Sequence, residues 1–144
     1  MIYTGGTIGM MKDYTSGALK AFDFSQLQKN IPELNQLDCT ISSFSFDHPI
    51  DSSNMNPTHW IAISDIITEK YNEFDGFVVL HGSDTMSYSA SALSFLLENL
   101  SKPVILTGSQ LPIKLPSFNR IWSSFDGFWR IFIASKKEIN VKIS

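Results

Sequence analysis

The sequence predicts an α/β fold, a doubly wound and mostly parallel sheet with helices on both faces. Short continuous apolar segments, typical of strands buried on both faces, alternate with longer segments of helical periodicity. Glycine-containing turns follow two of these strands directly, where ligands bind in parallel sheets. Together these patterns predict a sheet whose carboxyl edge carries the functional groups.

The first half of the chain is predicted to contain two strands. In order, the expected elements are a strand ending at Tyr3, a turn over Thr4–Gly9, a loop over 10–21, a helix from Asp23 or Ser25 through Ile31, and a strand over Thr40–Phe46. The last of these is rich in β-branched and aromatic residues, which favour strands. Residues 47–56 are polar, contain Pro49, and are predicted as a surface loop.

The second half is predicted as helix, strand, helix and strand. Asn56 and Pro57 are the N-cap and first residue typical of a helix start. Residues 76–80 and 102–106 are short apolar segments expected to be buried strands. The apolar faces of the two helices are expected to be Trp60, Ile63, Ile67 and Tyr71 in the first, and Leu93, Leu96, Leu97 and Leu100 in a second helix over 87–100.

The composition excludes several classes of protein. The chain of 144 residues is 43% hydrophobic and 17% charged, as in soluble globular domains. A net charge of −3 gives no electrostatic reason to expect nucleic acid or an anionic membrane as a partner. No apolar segment approaches the roughly 20 residues that span a bilayer, and no secretory signal is recognised at the start.

The sequence also argues against a metal site and a disulfide. Cys39 is the single cysteine, so it cannot form an internal disulfide, and a reducing compartment is the simpler expectation. Its neighbours resemble a strand, so we expect a small buried apolar residue rather than a nucleophile. The three histidines have no metal-ligand spacing with one another or with Cys39, and we predict no metal.

Two turns carry the residues best suited to chemistry. Thr4–Gly9, TGGTIG, combines glycines that allow close backbone approach with two hydroxyls, and it lacks the standard nucleotide-binding patterns. His81–Thr85, HGSDT, places two hydroxyls and a carboxylate after a buried strand and before a helix. Either Asp84 or Thr85 could simply cap that helix. The functional interpretation is that Asp84 pairs with a substrate cation while Ser83 places a water or a carbonyl oxygen.

A third turn precedes the first predicted helix. Asp51, Ser52 and Ser53 offer small hydrogen-bonding groups that could bind a carboxylate, although taken by themselves they are better explained as a plain turn. These three turns, together with the segment DGFVVLHGSDTMSYSASALSFLLENLSKPVILTGSQLPI, resemble the bacterial-type L-asparaginases, closest to the cytoplasmic type I branch. The resemblance runs from residue 1 to about Ile113.

The resemblance implies hydrolysis of the side-chain amide of L-asparagine to L-aspartate and ammonia, without metal or organic cofactor. Carried over residue by residue, it makes Thr7 the nucleophile and assigns Asp84 to the substrate α-amino group. Ser83 stands where the family has threonine and keeps the hydroxyl that positions water or the leaving amide. Asp51, Ser52 and Ser53 match the loop that binds the α-carboxylate and α-amino groups. Full-length relatives are homo-oligomeric.

The sequence departs from the family pattern in three places. The lysine that pairs with the HGSDT aspartate in a proton relay would lie beyond Ser144. A tyrosine that some members carry on the mobile loop has no match at residues 16–19. Residues 114–120 replace the family's arginine-x-aspartate-glycine segment. The isolated chain is therefore expected to have little or no asparaginase activity.

The chain is predicted to divide at residue 113. Residues 1–113 form an incomplete asparaginase amino-terminal α/β domain whose first strand is clipped, and 114–144 form a divergent, aromatic-rich tail. In that tail Ile121, Phe125, Phe128 and Phe132 have helical spacing. The alternative, which we favour as a hypothesis, is a change of reading frame near residue 114 that leaves an unrelated, aromatic-rich end, and the tail could also be partly disordered.

Three other functions are compatible with the same residues. The chain could be a non-catalytic remnant that binds aspartate, asparagine or a partner. It could belong to the asparaginase-like subunit of a tRNA-dependent amidotransferase, which shares both loops. A phosphate or nucleotide binder using TGGTIG is disfavoured by Asp84 near the expected site and by the absent lysine-serine/threonine ending.

Overall fold

The computed structural model describes residues 1–12, 15, 19–21, 34, 36–109 and 128–133. The strands in this part of the chain are β1 (Ile2–Gly5), β2 (Met10–Lys12), β3 (Leu19–Ala21), β4 (Phe44–Ile50), β5 (Phe77–Leu80), β6 (Val104–Ser109) and β7 (Phe128–Ile133). The α-helices are α1 (Pro57–Lys70) and α2 (Met86–Leu96). Single 3-10 turns occupy Thr7–Gly9 and Ser52–Asn54.

Five strands form one sheet in the order β4-β1-β5-β6-β7. The first four run parallel, and β7 is antiparallel to β6. The chain leaves β1 towards β4 at the edge, then crosses back past β1 to β5. Strands β1 and β5 are therefore the neighbours at which the direction of winding reverses, and ligands of open α/β sheets bind at such a point. The predicted α/β fold with a parallel sheet is confirmed.

Side chains alternate between the two faces of the sheet, as the pleat requires. On one face, Ile2 and Val79 pack against α1 and α2 in the larger core cluster. On the other, Tyr3 and Leu80 pack with Ile8 from the turn after β1. The helix residues that complete the larger cluster are Ile63, Ile67, Met86, Ala90 and Leu93.

The predicted start of α1 is confirmed in detail. Asn56 is the N-cap: its side chain accepts from the backbone N–H of Thr58 at 3.0 Å, and Pro57 is the first helical residue. His59 Nδ1 accepts in turn from the backbone N–H of Asn56 at 3.3 Å. Ile63 and Ile67 are fully buried, as the helical periodicity predicts.

The strand predicted over Thr40–Phe46 is displaced along the chain. It begins at Phe44 and continues to Ile50, so residues 47–50, predicted as loop, extend the strand. Pro49 is tolerated because β4 is an edge strand, where a missing N–H need not break a ladder bond. The pairing with β1 also shifts register between Tyr3 and Gly5, as at a bulge.

Two predictions in the first third of the chain are wrong. Residues 10–21 were expected to be a loop, but β2 and β3 pair antiparallel in a small separate sheet, with Met10 opposite Ala21. Cys39 was expected in a strand and buried, yet it lies exposed on a bend before β4. The β-branched and aromatic residues begin at Thr40, but the strand itself begins only at Phe44, so Cys39 lies too far before it to be buried. The helix predicted through Ile31 lies outside the residues that the structure describes.

The second helix is shorter than its periodicity predicts. It ends at Leu96, and Asn99 adopts a left-handed backbone conformation with φ 53°. Leu97 and Leu100 still reach the core from the following turn, whereas Leu96 is 45% exposed. The prediction that Leu96 belongs to the buried face is therefore wrong.

Residues 128–133 form a strand rather than the helix that the spacing of Phe128 and Phe132 suggests. Strand β7 pairs with β6 over its whole length, from Phe128 opposite Ser109 to Ile133 opposite Val104. Its aromatic and β-branched residues suit a strand. Residues 121–127 lie outside the described part of the chain, and the division at residue 113 stays a prediction.

Candidate active site

The two predicted loops meet at the carboxyl edge of the sheet, where β1 and β5 end side by side. A Cβ added at Gly6 would lie 2.6 Å from the Cα of Gly82, so the two backbones touch. The hydroxyl of Thr4 donates to the carbonyl of Leu80 at 3.0 Å and ties the strand ends together. The turns that follow β1 and β5 therefore share one crevice.

The TGGTIG turn needs its glycines. Gly6 has φ 85° and ψ 164°, a conformation essentially restricted to glycine. Tyr3 lies beneath the turn: a side chain at Gly9 would run into its ring, and its hydroxyl donates to the Gly6 carbonyl at 3.4 Å. Burial raises the pKa of Tyr3 to about 12, so this hydroxyl stays a donor. Thr7, which opens the 3-10 turn, is partly exposed.

The Asp51–Ser53 turn packs against the second loop. Ser52 is 4% exposed, and its Cβ would lie 2.6 Å from a Cβ added at Gly82. Asp51 and Ser53 are exposed, and the Asp51 carboxylate accepts from the Ser53 backbone N–H at 3.0 Å and hydroxyl at 2.9 Å. These bonds hold the pKa of Asp51 below its usual value. Of the three predicted residues, Ser52 alone is buried against the loop.

Ser83 and Asp84 are more exposed than His81 and Gly82, which precede them in the second loop. Ser83 is partly exposed, Asp84 is exposed, and the Ser83 hydroxyl lies 3.5 Å from the Asp84 carboxylate. Thr85 is the N-cap residue of α2, but no side chain caps that helix. The Thr85 hydroxyl instead donates to the carbonyl of Ser52 at 2.7 Å. Helix capping therefore does not account for Asp84 or Thr85.

His81 begins a buried hydrogen-bonded chain beneath the second loop. Its Nδ1 lies 2.6 Å from the Gly82 carbonyl, which can only accept, so Nδ1 carries the proton. Nε2 then accepts from the Ser89 hydroxyl at 2.8 Å, and Ser89 accepts from the Trp60 indole at 2.9 Å. Burial lowers the pKa of His81 and favours this neutral form. The chain holds the Gly82 carbonyl, and with it the peptide that leads into Ser83.

Sequence reasoning missed three of these supporting residues. Trp60 and Ser89 are assigned by periodicity to helices, and their contact with His81 joins positions that only the fold brings together. Tyr3 is predicted only as the end of a strand. An aromatic residue two positions before a glycine pair is a weak signal for a side chain that supports a turn, and nothing in the spacing reveals the Ser89 contact.

The three turns that carry these hydroxyls and carboxylates lie against one another at Gly82. Among the described residues, no group of three or more His, Cys, Asp or Glu side chains is placed to hold a metal ion. Neither α1 nor α2 has the length and apolarity needed to cross a membrane. Hydroxyl groups and a carboxylate are side chains that can act as a nucleophile and bind a cation, respectively.

The chain is similar in sequence to known proteins over the part that contains these three turns. The family model described as "Asparaginase, N-terminal" matches residues 1–121. L-asparaginase 1 of Escherichia coli (strain K12) is 48% identical over 116 residues, covering 77% of this chain and 33% of the relative. A glutamyl-tRNA(Gln) amidotransferase subunit of Pyrococcus abyssi (strain GE5 / Orsay) is 43% identical over 119 residues, covering 81% of this chain and 27% of the relative.

Solved structures show the same likeness. The crystal structure of L-asparaginase I from Vibrio cholerae O1 biovar eltor str. N16961 aligns with a TM-score of 0.69 at 44% identity. That alignment covers 80% of this chain and 34% of the solved chain. The chain thus spans about a third of the length of the first relatives that it matches.

Proposed function

Since the chain belongs to the asparaginase family, we propose that its two loops carry the nucleophilic and substrate-binding groups of a site that hydrolyses L-asparagine to L-aspartate and ammonia. The observation that supports this most is the backbone contact between Gly6 and Gly82, which sets the turns bearing Thr7 and Asp84 side by side at the switch point of the sheet. Both side chains reach solvent, as substrate access requires.

In the proposed reaction, the Thr7 hydroxyl attacks the side-chain amide carbon while a base takes its proton. The tetrahedral oxyanion is stabilised by backbone N–H groups near Thr7 and Ser83. Its collapse breaks the carbon–nitrogen bond, the nitrogen leaves as ammonia after gaining a proton, and an ester joins the aspartyl group to Thr7. Water placed by Ser83 hydrolyses that ester and releases L-aspartate.

The charged ends of the substrate are proposed to bind to the other two turns. Asp84 holds the α-ammonium group, and in the part of the chain that the structure describes no lysine or arginine forms an ion pair with it. Ser52 and Ser53 belong to the turn proposed to bind the α-carboxylate, which Asp51 shapes through its bonds to Ser53. Fixing both ends holds the amide near Thr7, which lowers the entropic part of the barrier.

Calorimetric titration of the purified chain with L-aspartate tests the binding half of this proposal. We expect saturable binding that Asp84→Asn weakens at least about tenfold, because the ammonium loses its charged partner. Asp75→Asn is the matched control, since Asp75 is exposed just before the opposite, amino end of β5. Equal affinity in the Asp84 variant and the wild-type chain would contradict the assignment.

Ammonia release from L-asparagine tests the catalytic half. We expect little or no release by the isolated chain, because the described residues offer Asp84 no lysine partner for a proton relay. Thr7→Ala measured beside the wild-type chain supplies the baseline. Clear turnover that Thr7→Ala abolishes would refute the expected inactivity while supporting Thr7 as the nucleophile.

The likeness to the amidotransferase favours a second candidate, hydrolysis of a glutamine amide for a tRNA-linked transfer. Both candidates use the same loops, and they differ in the length of the amide side chain. Calorimetry with L-glutamate beside L-aspartate separates them: tighter binding of the longer product supports the second candidate. Binding of L-aspartate by a chain without turnover on either amide supports a non-catalytic remnant.

A further inference from the structure

Thr85 forms a bond that its position does not predict. As the N-cap residue of α2 it is placed to accept from its own helix, yet no side chain caps that helix. Its hydroxyl donates instead to the Ser52 carbonyl, 33 residues earlier in the chain, at 2.7 Å. The bond therefore joins the two turns assigned above to opposite ends of the substrate.

The Ser52 carbonyl, which accepts the bond from Thr85, also helps to set the shape of the Asp51–Ser53 turn. The Ser52 carbonyl also accepts from the backbone N–H of Met55 at 3.1 Å, so it has two donors. Across the same peptide, which is planar with its N–H opposed to its C=O, the Ser53 N–H donates to Asp51. Thr85 on one side and Asp51 on the other therefore fix the plane of the Ser52–Ser53 peptide.

Packing and hydrogen bonding act differently at this contact. Ser52 is pressed against Gly82, and this contact, being non-directional, limits how closely the turns approach. The hydroxyl of Thr85 supplies a directed bond, and the β-branched side chain has few rotamers to choose from. Asp84 is the adjacent residue, so a change at Thr85 alters the relation between Asp84 and the Ser52 turn.

We propose that Thr85 is a positioning residue that couples the turn for the substrate α-carboxylate to the residue for its α-ammonium. Thr85 acts through Ser52 and Asp84, without touching the ligand. This inference rests on the proposed function, since it assumes that one amino acid spans both turns. If Thr85 has this role, removing its hydroxyl weakens binding of a ligand that carries both charged ends more than binding of a ligand that carries only one of them.

The test compares L-aspartate with succinate, which is aspartate without the α-amino group, as calorimetric ligands of the full chain. Thr85→Val keeps the shape and removes the hydroxyl; Thr85→Ser keeps the hydroxyl. We expect Thr85→Val to weaken L-aspartate binding about tenfold and succinate binding less than about threefold. Thr85→Ser should stay within about twofold of the wild-type chain for both ligands.

Each outcome assigns failure to one claim. Equal losses for both ligands, or no loss, in Thr85→Val would overturn the coupling role while leaving the proposed function standing. A wild-type chain that binds neither ligand, or binds L-aspartate independently of Asp84, would overturn the proposed function and the coupling with it. If thermal unfolding shows that Thr85→Val does not fold, Thr85→Ala is judged by the same ratio of affinities.

Discussion

At the scale of single residues, the candidate site depends on glycines, which let the turns approach closely, as much as on its polar side chains. Gly82 touches Gly6 on one side and Ser52 on the other, so three turns converge on a position without a side chain. The sequence identifies the hydroxyls and the carboxylate as candidate functional groups. Their spacing depends on this glycine and on the buried His81 beneath it.

Replacing Gly82 with alanine is expected to separate the turns. A Cβ there would lie 2.6 Å from the Ser52 Cβ, well inside van der Waals contact, so the backbone must shift. Overpacking of this kind costs about 1–3 kcal/mol of unfolding free energy. Urea unfolding measures it, and Gly82→Ala with Ser52→Gly should recover most of the loss. No recovery in the double variant would show that Ser52 is not what the new methyl group meets.

His81 makes stability depend on pH in a defined direction. Burial lowers its pKa in the folded chain below the ordinary value of 6.5. The unfolded chain therefore binds the proton more readily, and the stability present above pH 6.5 is lost as pH falls below that value. The loss is at most about 1.4 kcal/mol per pH unit for one group.

Unfolding free energies measured from about pH 7.5 to about pH 5.5, on either side of the ordinary histidine pKa, check this expectation. His81→Gln should flatten the slope, even if it lowers stability throughout, since the variant has nothing to protonate at that position. His48→Gln is the matched control, because His48 is exposed on the edge strand β4. Identical slopes in the two variants would show that another group is responsible.

At the scale of elements, periodicity identified the helices and strands better than it identified their ends. The start of α1 was predictable because Asn56 and Pro57 act locally, through a cap and a fixed φ. The end of α2 was not, because Leu97 and Leu100 remain buried after the helix stops. Because these residues after the helix are also buried, the apolar pattern extends beyond the helix end. Periodicity alone cannot distinguish a buried helical residue from a buried residue that follows the helix.

Two leucines of α2 test that distinction directly. Leu93 is fully buried in the core, and Leu93→Ala should cost about 2–5 kcal/mol through lost burial and a cavity. Leu96→Ala should cost less than about 1 kcal/mol, because this side chain is 45% exposed. Chemical unfolding of both variants checks the pair. Similar losses would place Leu96 back in the core, as its periodicity suggests.

Edge strands show why tertiary context decides some elements. Pro49 favours a loop in the sequence, and the edge position of β4 removes the reason for that expectation. The helical spacing of Phe128 and Phe132 competed with the β propensity of the same segment, and pairing with β6 decided for a strand. In both cases the position of the strand within the sheet, which the local sequence does not specify, decides the element.

At the scale of the whole molecule, the order of the strands explains the site. The chain departs from β1 in one direction and from β5 in the other, so the two turns diverge and leave a crevice between them. Ile8 after β1 and Met86 after β5 pack into separate core clusters, consistent with that divergence. The alternation of elements predicted the fold class, and the family resemblance predicted which turns carry the site.

The buried support for the site could not be predicted in the same way. The Thr85–Ser52 bond and the Trp60–Ser89–His81 chain join residues 33, 29 and 8 positions apart. Each of these residues occupies an ordinary local position: an N-cap position, a helix, a 3-10 turn or the residue after a strand. Their contacts depend on how α1 and α2 pack against each other and against the end of β5.

The central proposal is that the turns after β1 and β5 bind one ligand together. Following backbone amide resonances by NMR during titration with L-aspartate tests this most directly. We predict that Gly6 and Thr7 shift together with Ser83 and Asp84 along a single saturation curve, and that Asp84→Asn weakens all of these responses in parallel. Shifts confined to one turn, or two turns saturating at different concentrations, would contradict a shared site.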